Sequence, residues 1–257
     1  PNITVENVSS LRTIFIYFNH NIEPFTDVRV RQAVNYAVNN QDLADFVLGG
    51  AVRVSDAPIS PGIFGYTPVG NYDQDLERAR ELLAEAGYPD GFSTTLYSPS
   101  GRYLQDIQTS EAIQGMLAEV GINVTIETLE WSAYLEKLNA PIETNEVPMG
   151  FLGWGTVTGD ADYGLYPLLH TDQWRPVGSN RAFYSNPEVD ALLSEARVSP
   201  DNDARLQMYE DAMQLIWDDA AWLFLHSETQ LVAVRDGVNG LIIHPTERVL
   251  AYDVTID

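Results

Sequence analysis

The chain has 257 residues and a formal net charge of −23, from 37 acidic and 14 basic side chains. A charge of this sign excludes unaided nucleic-acid binding, because the protein would repel the phosphates instead of releasing their counterions. Apolar residues make up 45% of the chain, which excludes a disordered acidic tail and predicts a globular protein with one large core or two modest ones.

Residue usage narrows the classes of protein further. No run approaches the roughly 20 apolar residues of a membrane helix, and the chain has no cysteine, which excludes disulfides, thiolate nucleophiles and cysteine–zinc sites. The sequence starts at Pro1 without an initiator methionine or a leader pattern, so we expect a piece of a longer protein. Lys137 is the single lysine beside 13 arginines; this bias fits either a high-salt habitat or a GC-rich genome.

The start of the chain predicts a strand followed by two helices. Residues 13–18 form an apolar, β-prone run. A stripe of apolar residues at helical spacing begins at Val30, and Thr26 or Asp27 is available as the N-cap. A second, short helix with its apolar residues on one face ends at Gly49.

A long loop and a third helix follow. Residues 56–70 hold three prolines and three glycines, so we expect an irregular loop that lies on the surface. Asp73 is the predicted N-cap of an acidic helix that closes at Gly87 in the left-handed conformation.

The middle of the chain predicts a strand–helix–strand unit. Residues 92–97 form a strand, residues 103–120 a helix that stops at Gly121, and residues 122–127 a strictly alternating strand. Such a crossover is right-handed and places its two strands in parallel in one sheet.

Helices and short strands alternate in the next part of the chain. An apolar helical face starts at Trp131, and residues 149–154 form a strand that runs into a loop of small residues at 155–164. Asn186 and Asp201 are the predicted N-caps of two further helices.

The last forty residues are predicted to contain strands and turns but no helix. They predict three strands separated by turns, at residues 222–226, 230–234 and 241–243. Because both ends of the chain are rich in strands, we expect the termini to come together in a sheet outside the central body. The fold class is α/β.

Most short catalytic and metal-binding motifs are absent from the sequence. The four histidines are far apart and lack metal-ligand spacing, so they are interpreted as surface or capping residues, and no cofactor or metal site is predicted. The stretch that remains is the loop after the strand at 149–154, because loops at the carboxyl ends of strands hold ligands in α/β proteins.

That loop carries Trp154, Asp160, Asp162 and Tyr163. A carboxylate in a desolvated cleft can bind an ammonium group by a charge-assisted hydrogen bond, and a neighbouring aromatic ring can stack on an apolar ligand or a cation. The alternative is that Asp160 or Asp162 only makes a side-chain turn within a glycine-rich loop.

A second candidate lies between the first strand of the strand–helix–strand unit and its helix. Arg102, followed by Tyr103, is expected at a helix N-terminus, where backbone N–H groups and the helix dipole already favour an anion. The alternative is a surface arginine paired with Asp106. Together, the carboxylate and Arg102 would hold the two ends of a zwitterion such as a peptide.

Several stretches of the chain are similar to a known family. Two are long: PFTDVRVRQA at 24–33 and ARELLAEAGYPDGF at 79–92. The others lie at 18–19, 120–122, 184–190 and 238–241. These stretches resemble the extracellular solute-binding proteins of family 5, which serve peptide and nickel ABC importers and include the dipeptide-, oligopeptide- and glutathione-binding group.

The resemblance implies a two-lobed protein of the type II periplasmic-binding-protein class, of which this chain is the C-terminal half. Residues 27–220 would form the distal ligand-binding lobe, with a mixed sheet and flanking helices. Segments 1–26 and 221–257 would belong to the other lobe, as terminal strands. The missing N-terminal half would supply the opposite wall of the cleft, a signal sequence and a lipid anchor, in an extracytoplasmic protein whose partners are a small peptide-like ligand and the permease subunits.

The resemblance also implies roles for particular residues. The pattern from Trp154 through Gly159 to Asp162 is similar to the loop that carries the amine-binding aspartate, and is closest to the glutathione-binding group. It implies that Asp162 accepts the ammonium group, that Trp154 and Tyr163 line the cleft, and that Arg102 binds the carboxylate. In many members a second Asp-Pro pair follows, and here Tyr163-Gly164 stands instead, so the pocket floor is expected to differ.

Two other functions remain open from the sequence. Asp160 and Asp162 would share one face of an extended segment, about 6–7 Å apart from the strand rise, as in a hydrolase with an acid and a base. Alternatively, the chain is an interaction module that contacts only the permease and binds no solute.

Overall fold

One six-stranded mixed sheet with helices on both faces organises the chain, in a computed structural model that describes residues 2–257. The sheet strands are β1 (Ile3–Phe18), β2 (Val52–Val54), β3 (Phe92–Pro99), β4 (Ile122–Leu129), β5 (Met149–Gly155) and β6 (Trp222–Arg235). Four short strands form two small pairs near the end: β7 (Val238–Asn239), β8 (Ile242–His244), β9 (Arg248–Leu250) and β10 (Thr255–Ile256).

Within residues 2–257, eight α-helices connect or follow these strands. They are α1 (Val28–Ala37), α2 (Asn40–Asp42), α3 (Leu76–Glu85), α4 (Asp106–Ala118), α5 (Trp131–Leu138), α6 (Ala161–Leu169), α7 (Pro187–Val198) and α8 (Asn202–Asp218). A π-helical turn at Leu43–Val47 extends α2, and a 3₁₀ turn at Thr171–Gln173 follows α6. The predicted α/β class is confirmed.

The strand order is β2-β6-β1-β5-β3-β4. The strand β3 is parallel to both β4 and β5, which confirms the predicted strand–helix–strand unit, and the remaining pairs are antiparallel. Because parallel strands end at the same edge, the carboxyl ends of β3, β4 and β5 lie together. We call this edge of the sheet the carboxyl edge.

Each face of the sheet carries its own hydrophobic core. Ile14 and Ile16 of β1 point to one face and pack with α1, α3 and α4, while Phe15 and Tyr17 point to the other and pack with α6, α7 and α8. The alternation follows from the two-residue period of a strand. We call these the α4 face and the α6 face.

The two terminal strands pair with each other, as predicted, but not outside the central body. Residues 12–18 of β1 pair with β5, with Arg12 opposite Gly155 and Phe18 opposite Met149, so the terminal strands are central members of the main sheet. Only residues 3–9 and 229–235 extend past the carboxyl edge as a two-stranded ribbon, which we call the terminal ribbon. The predicted division of the chain into lobes at residues 26/27 and 220/221 stays a prediction.

Local signals located the helices better than the loops between them. Asp27 caps α1 as predicted, whereas α3 is capped by Asp75 and not by Asp73. The proline-rich segment 56–70 is irregular, but it does not lie on the surface throughout, because Ala57 and Ile59 are buried against the α6-face core. Apolar side chains of this loop cover the α6-face core and keep it away from water.

The predicted loop at 155–164 is shorter than expected. Residues 161–164 form the first turn of α6, so Asp162 and Tyr163 lie on a helix and Asp160 is its N-cap. No helix within residues 2–257 combines the length and the apolar character needed to cross a membrane.

Candidate ligand-binding site

The carboxyl edge collects the predicted site residues. The segment with Arg102 follows β3, and Trp131 follows β4. Trp154 lies near the end of β5, and Asp160 comes five residues after that strand. The terminal ribbon leaves from the same edge, because β1 is antiparallel to β5.

Arg102 lies on two aromatic rings. Its guanidinium carbon is 5.0 Å from the centroid of Tyr103 and 5.1 Å from that of Trp131, a cation–π arrangement. Among the described residues its guanidinium has no carboxylate partner. Asp106 accepts hydrogen bonds from the backbone N–H groups of residues 101–103 instead, at 3.1, 2.7 and 3.1 Å, so it shapes the loop and leaves the arginine side chain free.

Tyr103 is buried beneath Arg102 and fixes its position. A Cβ atom at Gly153 would lie 2.7 Å from the Tyr103 ring, so the ring packs directly on the backbone of β5 and needs glycine there. Burial raises the pKa of the Tyr103 hydroxyl, which therefore stays neutral. Since Gly153 lies on the α4 face, Tyr103 does too.

Three charged residues that the sequence did not single out lie on the same face. Arg12 donates from Nε to Oε1 of Glu247 at 2.7 Å and from Nη2 to Oε2, and its Nε is 3.2 Å from Oε2 of Glu228. The hydrogen bonds and charge of Glu247 raise the pKa of Arg12 against the effect of its burial. One signal was available: Glu228 is the single residue with a formal charge at pH 7 between positions 222 and 234.

Trp154 and Tyr163 come together on the opposite face. Their ring centroids are 5.3 Å apart, and Nε1 of Trp154 donates to the backbone oxygen of Tyr163 at 2.8 Å. Trp154 alternates with Gly153 along β5, which places it on the α6 face. The structure thus brings these two predicted residues into contact, with the indole N–H used within the pair.

Asp160 has a structural role. Its carboxylate accepts from the backbone N–H of Asp162 at 3.0 Å as the N-cap of α6, and both of its oxygens are 2.8 Å from Nη2 of Arg205 on α8. The side-chain turn that the sequence left open is therefore present, and both carboxylate oxygens of Asp160 have partners within the chain. That Asp160 binds ligand stays a prediction.

Asp162 is also paired. Its Oδ1 is 2.9 Å from Nε of Arg197 on α7, an ion pair without hydrogen-bond geometry. Burial raises the pKa of the Asp162 carboxyl, the charge of Arg197 opposes this, and the charge of Asp160 adds to it. Asp162 lies beside Tyr163 on the α6 face, whereas Arg102 lies on Tyr103, which packs in the α4-face core, and on Trp131, which packs against both cores. That Arg102 and Asp162 hold one ligand stays a prediction.

The family of the chain follows from comparison with known proteins. The model for bacterial extracellular solute-binding proteins, family 5 Middle, matches residues 1–176. The chain belongs to this family. A glutathione-binding protein GsiB from Pectobacterium atrosepticum is 34% identical over 232 residues, which cover 90% of this chain and 45% of that protein. The chain thus spans about half the length of the curated relatives it matches.

Solved structures agree with this membership in family 5. The periplasmic binding protein DppA from Helicobacter pylori, in complex with the peptide STSA, is 32% identical with a TM-score of 0.84, over 93% of this chain and 46% of that one. A dipeptide-binding protein from Pseudoalteromonas sp. SM9913, in complex with Met-Leu, is 25% identical with a TM-score of 0.87, over 99% and 50%. The fold is that of the type II periplasmic binding proteins, as predicted.

Proposed function

We propose that the intact protein captures a small peptide-like solute, such as a dipeptide, an oligopeptide or glutathione, and delivers it to the permease of an ABC importer. The solute would lie at the carboxyl edge, between this chain and a second lobe reached through the terminal ribbon. Differential affinity for the closed arrangement of the two lobes would drive closure. Family membership and the peptide ligands of the solved relatives support this function.

One observation carries the choice of site. Arg102 offers a guanidinium without a carboxylate partner, held on the rings of Tyr103 and Trp131 at the carboxyl edge. A planar guanidinium in a fixed position matches the two oxygens of a carboxylate, which is the C-terminal group of every unblocked peptide. The carboxylate of the solute is therefore assigned to Arg102.

The proposal is binding without chemistry. A hydrolase would need Asp160 and Asp162 free to act as acid and base, and each is paired with a different arginine, Arg205 and Arg197. The proposed location is extracytoplasmic, with attachment to the membrane through a lipid anchor outside this chain. The lobe boundaries at residues 26/27 and 220/221 belong to the same proposal.

Calorimetry on the intact protein tests the site. We expect Arg102→Ala to weaken the binding of dialanine, tetraalanine or glutathione by on the order of 30-fold or more, because a desolvated carboxylate loses its charged partner. Arg78→Ala, which removes an arginine ion-paired to Glu81 on the surface of α3, is the matched control and should leave affinity unchanged.

Two results would contradict the proposed function. The first is equal affinity of the wild-type and Arg102→Ala proteins for all three solutes. The second is turnover of any of them during prolonged incubation, because a binding protein returns its ligand unaltered.

A further inference from the structure

A polar cavity of about 210 Å³ lies beside the outer strand β2, at the point where that strand ends. Ser55, which directly follows β2, still donates its backbone N–H to the oxygen of Leu225 on β6 at 3.1 Å. The oxygen of Phe224 accepts from Nδ2 of Asn40 at 2.8 Å instead, so a side chain covers the edge of β6 there. The cavity is lined by three segments of the chain: residues 39–41, 54–56 and 71–74. None of them belongs to the candidate ligand-binding site.

The amide side chains around this cavity use their nitrogens within the protein. Nδ2 of Asn40 donates to a backbone oxygen of β6 at 2.8 Å, and Nε2 of Gln74 to a backbone oxygen of α1 at 3.1 Å. Because a backbone oxygen only accepts, these contacts fix which end of each amide is the nitrogen. Gln41 likewise donates from Nε2 to the carboxylate of Asp45 at 3.0 Å. What these side chains can offer to a ligand is therefore their oxygens.

Two oxygens at the cavity are buried and unpartnered. Ser55 is 6% exposed, and among the described residues neither its Oγ nor Oδ1 of Asn40 has a hydrogen-bond partner. Buried polar atoms nearly always have one, since an unpaired atom away from water destabilises the folded protein. Both residues line the same cavity, so one ligand that donates hydrogen bonds would satisfy both oxygens.

The cavity also carries negative charge. Its described lining includes two carboxylates, Asp56 and Asp73, and no lysine, arginine or histidine. Asp56 is already engaged by Arg53 and Tyr66, at 2.6 and 2.8 Å. Asp73 is exposed and has no ion pair or side-chain hydrogen bond within residues 2–257. Oxygen acceptors beside one free carboxylate favour a cation that carries hydrogen-bond donors.

The volume of the cavity matches one hydrated ion. A water molecule takes up about 30 Å³ in the liquid, so about 210 Å³ holds an ion with roughly six waters. Mg²⁺ gives up its waters reluctantly and is commonly held through one or two carboxylates. Within residues 2–257 no three histidine, aspartate or glutamate side chains are grouped to hold a metal directly, which favours an ion that keeps its waters.

From these observations we infer that the cavity beside β2 binds a hydrated divalent cation of the Mg²⁺ class. Asp73 supplies a carboxylate at the exposed side, and Ser55 and the amide oxygen of Asn40 accept hydrogen bonds from the waters of the ion at the buried side. Because the ion contacts three separate segments of the folded chain, it stabilises the fold. This site goes beyond the proposed function and does not depend on it.

Manganese binding to the intact protein tests the site, because Mn²⁺ and Mg²⁺ share a preference for carboxylate, carbonyl and water ligands. Free Mn²⁺ is counted by its electron paramagnetic resonance, in 0.15 M KCl, where charges more than about 8 Å apart are largely screened. We expect the wild type to bind Mn²⁺ with a Kd on the order of 1 mM or below, and Mg²⁺ to displace it.

Two variants locate that binding. Asp73→Asn should weaken one equivalent of Mn²⁺ by at least about 10-fold, because the waters of the ion lose their anionic partner. Glu111→Gln, which removes an exposed charge on α4, is the matched control and should leave Mn²⁺ affinity unchanged.

Ser55→Ala gives a readout that a purely structural hydroxyl would not produce. Without a divalent cation the variant should melt no lower than the wild type, because it removes an unpaired buried oxygen. Relative to KCl of the same ionic strength, 20 mM MgCl₂ should raise the melting temperature of the wild type by roughly 3 °C. The gain in Ser55→Ala should be less than half of that.

Each contrary result overturns the inference. Equal Mn²⁺ affinity of Asp73→Asn and Glu111→Gln would show that the ion binds elsewhere, and a wild type that binds no Mn²⁺ would show that the cavity holds only water. If Asp73→Asn does not fold, the melting temperatures decide alone: an equal gain from MgCl₂ in the wild type and in Ser55→Ala overturns the site.

Discussion

Single residues show how burial changes the chemistry that the sequence suggests. The sequence interpreted all four histidines as surface or capping residues. His170 does cap the 3₁₀ turn after α6, through Nδ1 and the backbone N–H of Asp172, but His226 is only 4% exposed in the α4-face layer of β6. Burial lowers the pKa of His226 to about 3, because charging an imidazole away from water is unfavourable.

This burial predicts a loss of stability in mild acid. The unfolded chain binds a proton at His226 near pH 6.5, while the folded chain does so only near pH 3, so stability is fully present above pH 6.5 and falls as the pH is lowered towards 3. Between pH 7 and pH 5 the loss from this residue is about 2 kcal/mol.

Urea unfolding at pH 7 and pH 5 measures the effect. In His226→Gln the difference between the two pH values should shrink by about 2 kcal/mol relative to the wild type. His244→Gln, at an exposed position, should leave that difference as it is. An identical pH dependence in the wild type and His226→Gln would show that the buried imidazole does not titrate as described.

Asp160 and Asp162 show that the ion-pair partners of single residues could not be predicted from the sequence. The sequence placed both in a loop of small residues, either as ligand-binding carboxylates or as residues of a side-chain turn. The structure pairs Asp160 with Arg205, 45 positions away, and Asp162 with Arg197. No short-range pattern reveals which of 13 arginines reaches a given aspartate, because α7 and α8 bring theirs to α6 through tertiary packing.

The bounds of elements that depend on neighbouring residues in the chain were predicted closely. The parallel pair of β3 and β4 runs in register from Phe92 opposite Ile122 to Pro99 opposite Leu129, within two residues of the predicted bounds. The turns that start the two strands touch each other: a Cβ atom at Gly91 would lie 2.0 Å from the backbone oxygen of Gly121. The strand–helix–strand unit therefore needs glycine at the start of β3 for two reasons: a side chain at Gly91 would collide with Gly121, and the φ of Gly91 is positive.

This contact predicts unequal effects of two similar substitutions. Gly87 and Gly91 both have positive φ, at 94° and 76°, but a Cβ at Gly87 meets no atom within 4 Å. Gly87→Ala should lower the free energy of unfolding by about 1–2 kcal/mol, the cost of a left-handed alanine. Gly91→Ala should cost at least about twice that, because the start of β3 must also move away from β4.

Chemical unfolding of the two variants provides the comparison. Equal losses would mean that the turns before β3 and β4 can separate freely, and the close approach would then contribute nothing to stability.

At the scale of the whole molecule, one sheet joins both ends of the chain to its middle. The order β2-β6-β1-β5-β3-β4 places the terminal strands next to β5, so the carboxyl edge and the terminal ribbon face the same direction. The chain carries a formal net charge of −23. Self-repulsion of that size opposes the folded state until ions screen it.

Salt should therefore stabilise the protein. Raising KCl from 0.1 to 1 M shortens the screening length from about 10 Å to about 3 Å. We expect the melting temperature to rise by roughly 5 °C, which corresponds to about 2 kcal/mol in a chain of this size. The same titration near pH 4.2, where the net charge vanishes, is the control and should show little change. A melting temperature independent of KCl at pH 7 would contradict this account.

The sequence by itself determined the family, the α/β class and the strand–helix–strand unit, because helix caps, strand alternation and family motifs are local in the chain. Only the tertiary structure decided how the charged residues combine. Arg12 meets Glu247 across 235 positions, and successive residues of β5 contact Tyr103 on one face of the sheet and Tyr163 on the other. These partnerships depend on strand order and register, and long-range pairing of this kind leaves no periodic trace in the sequence.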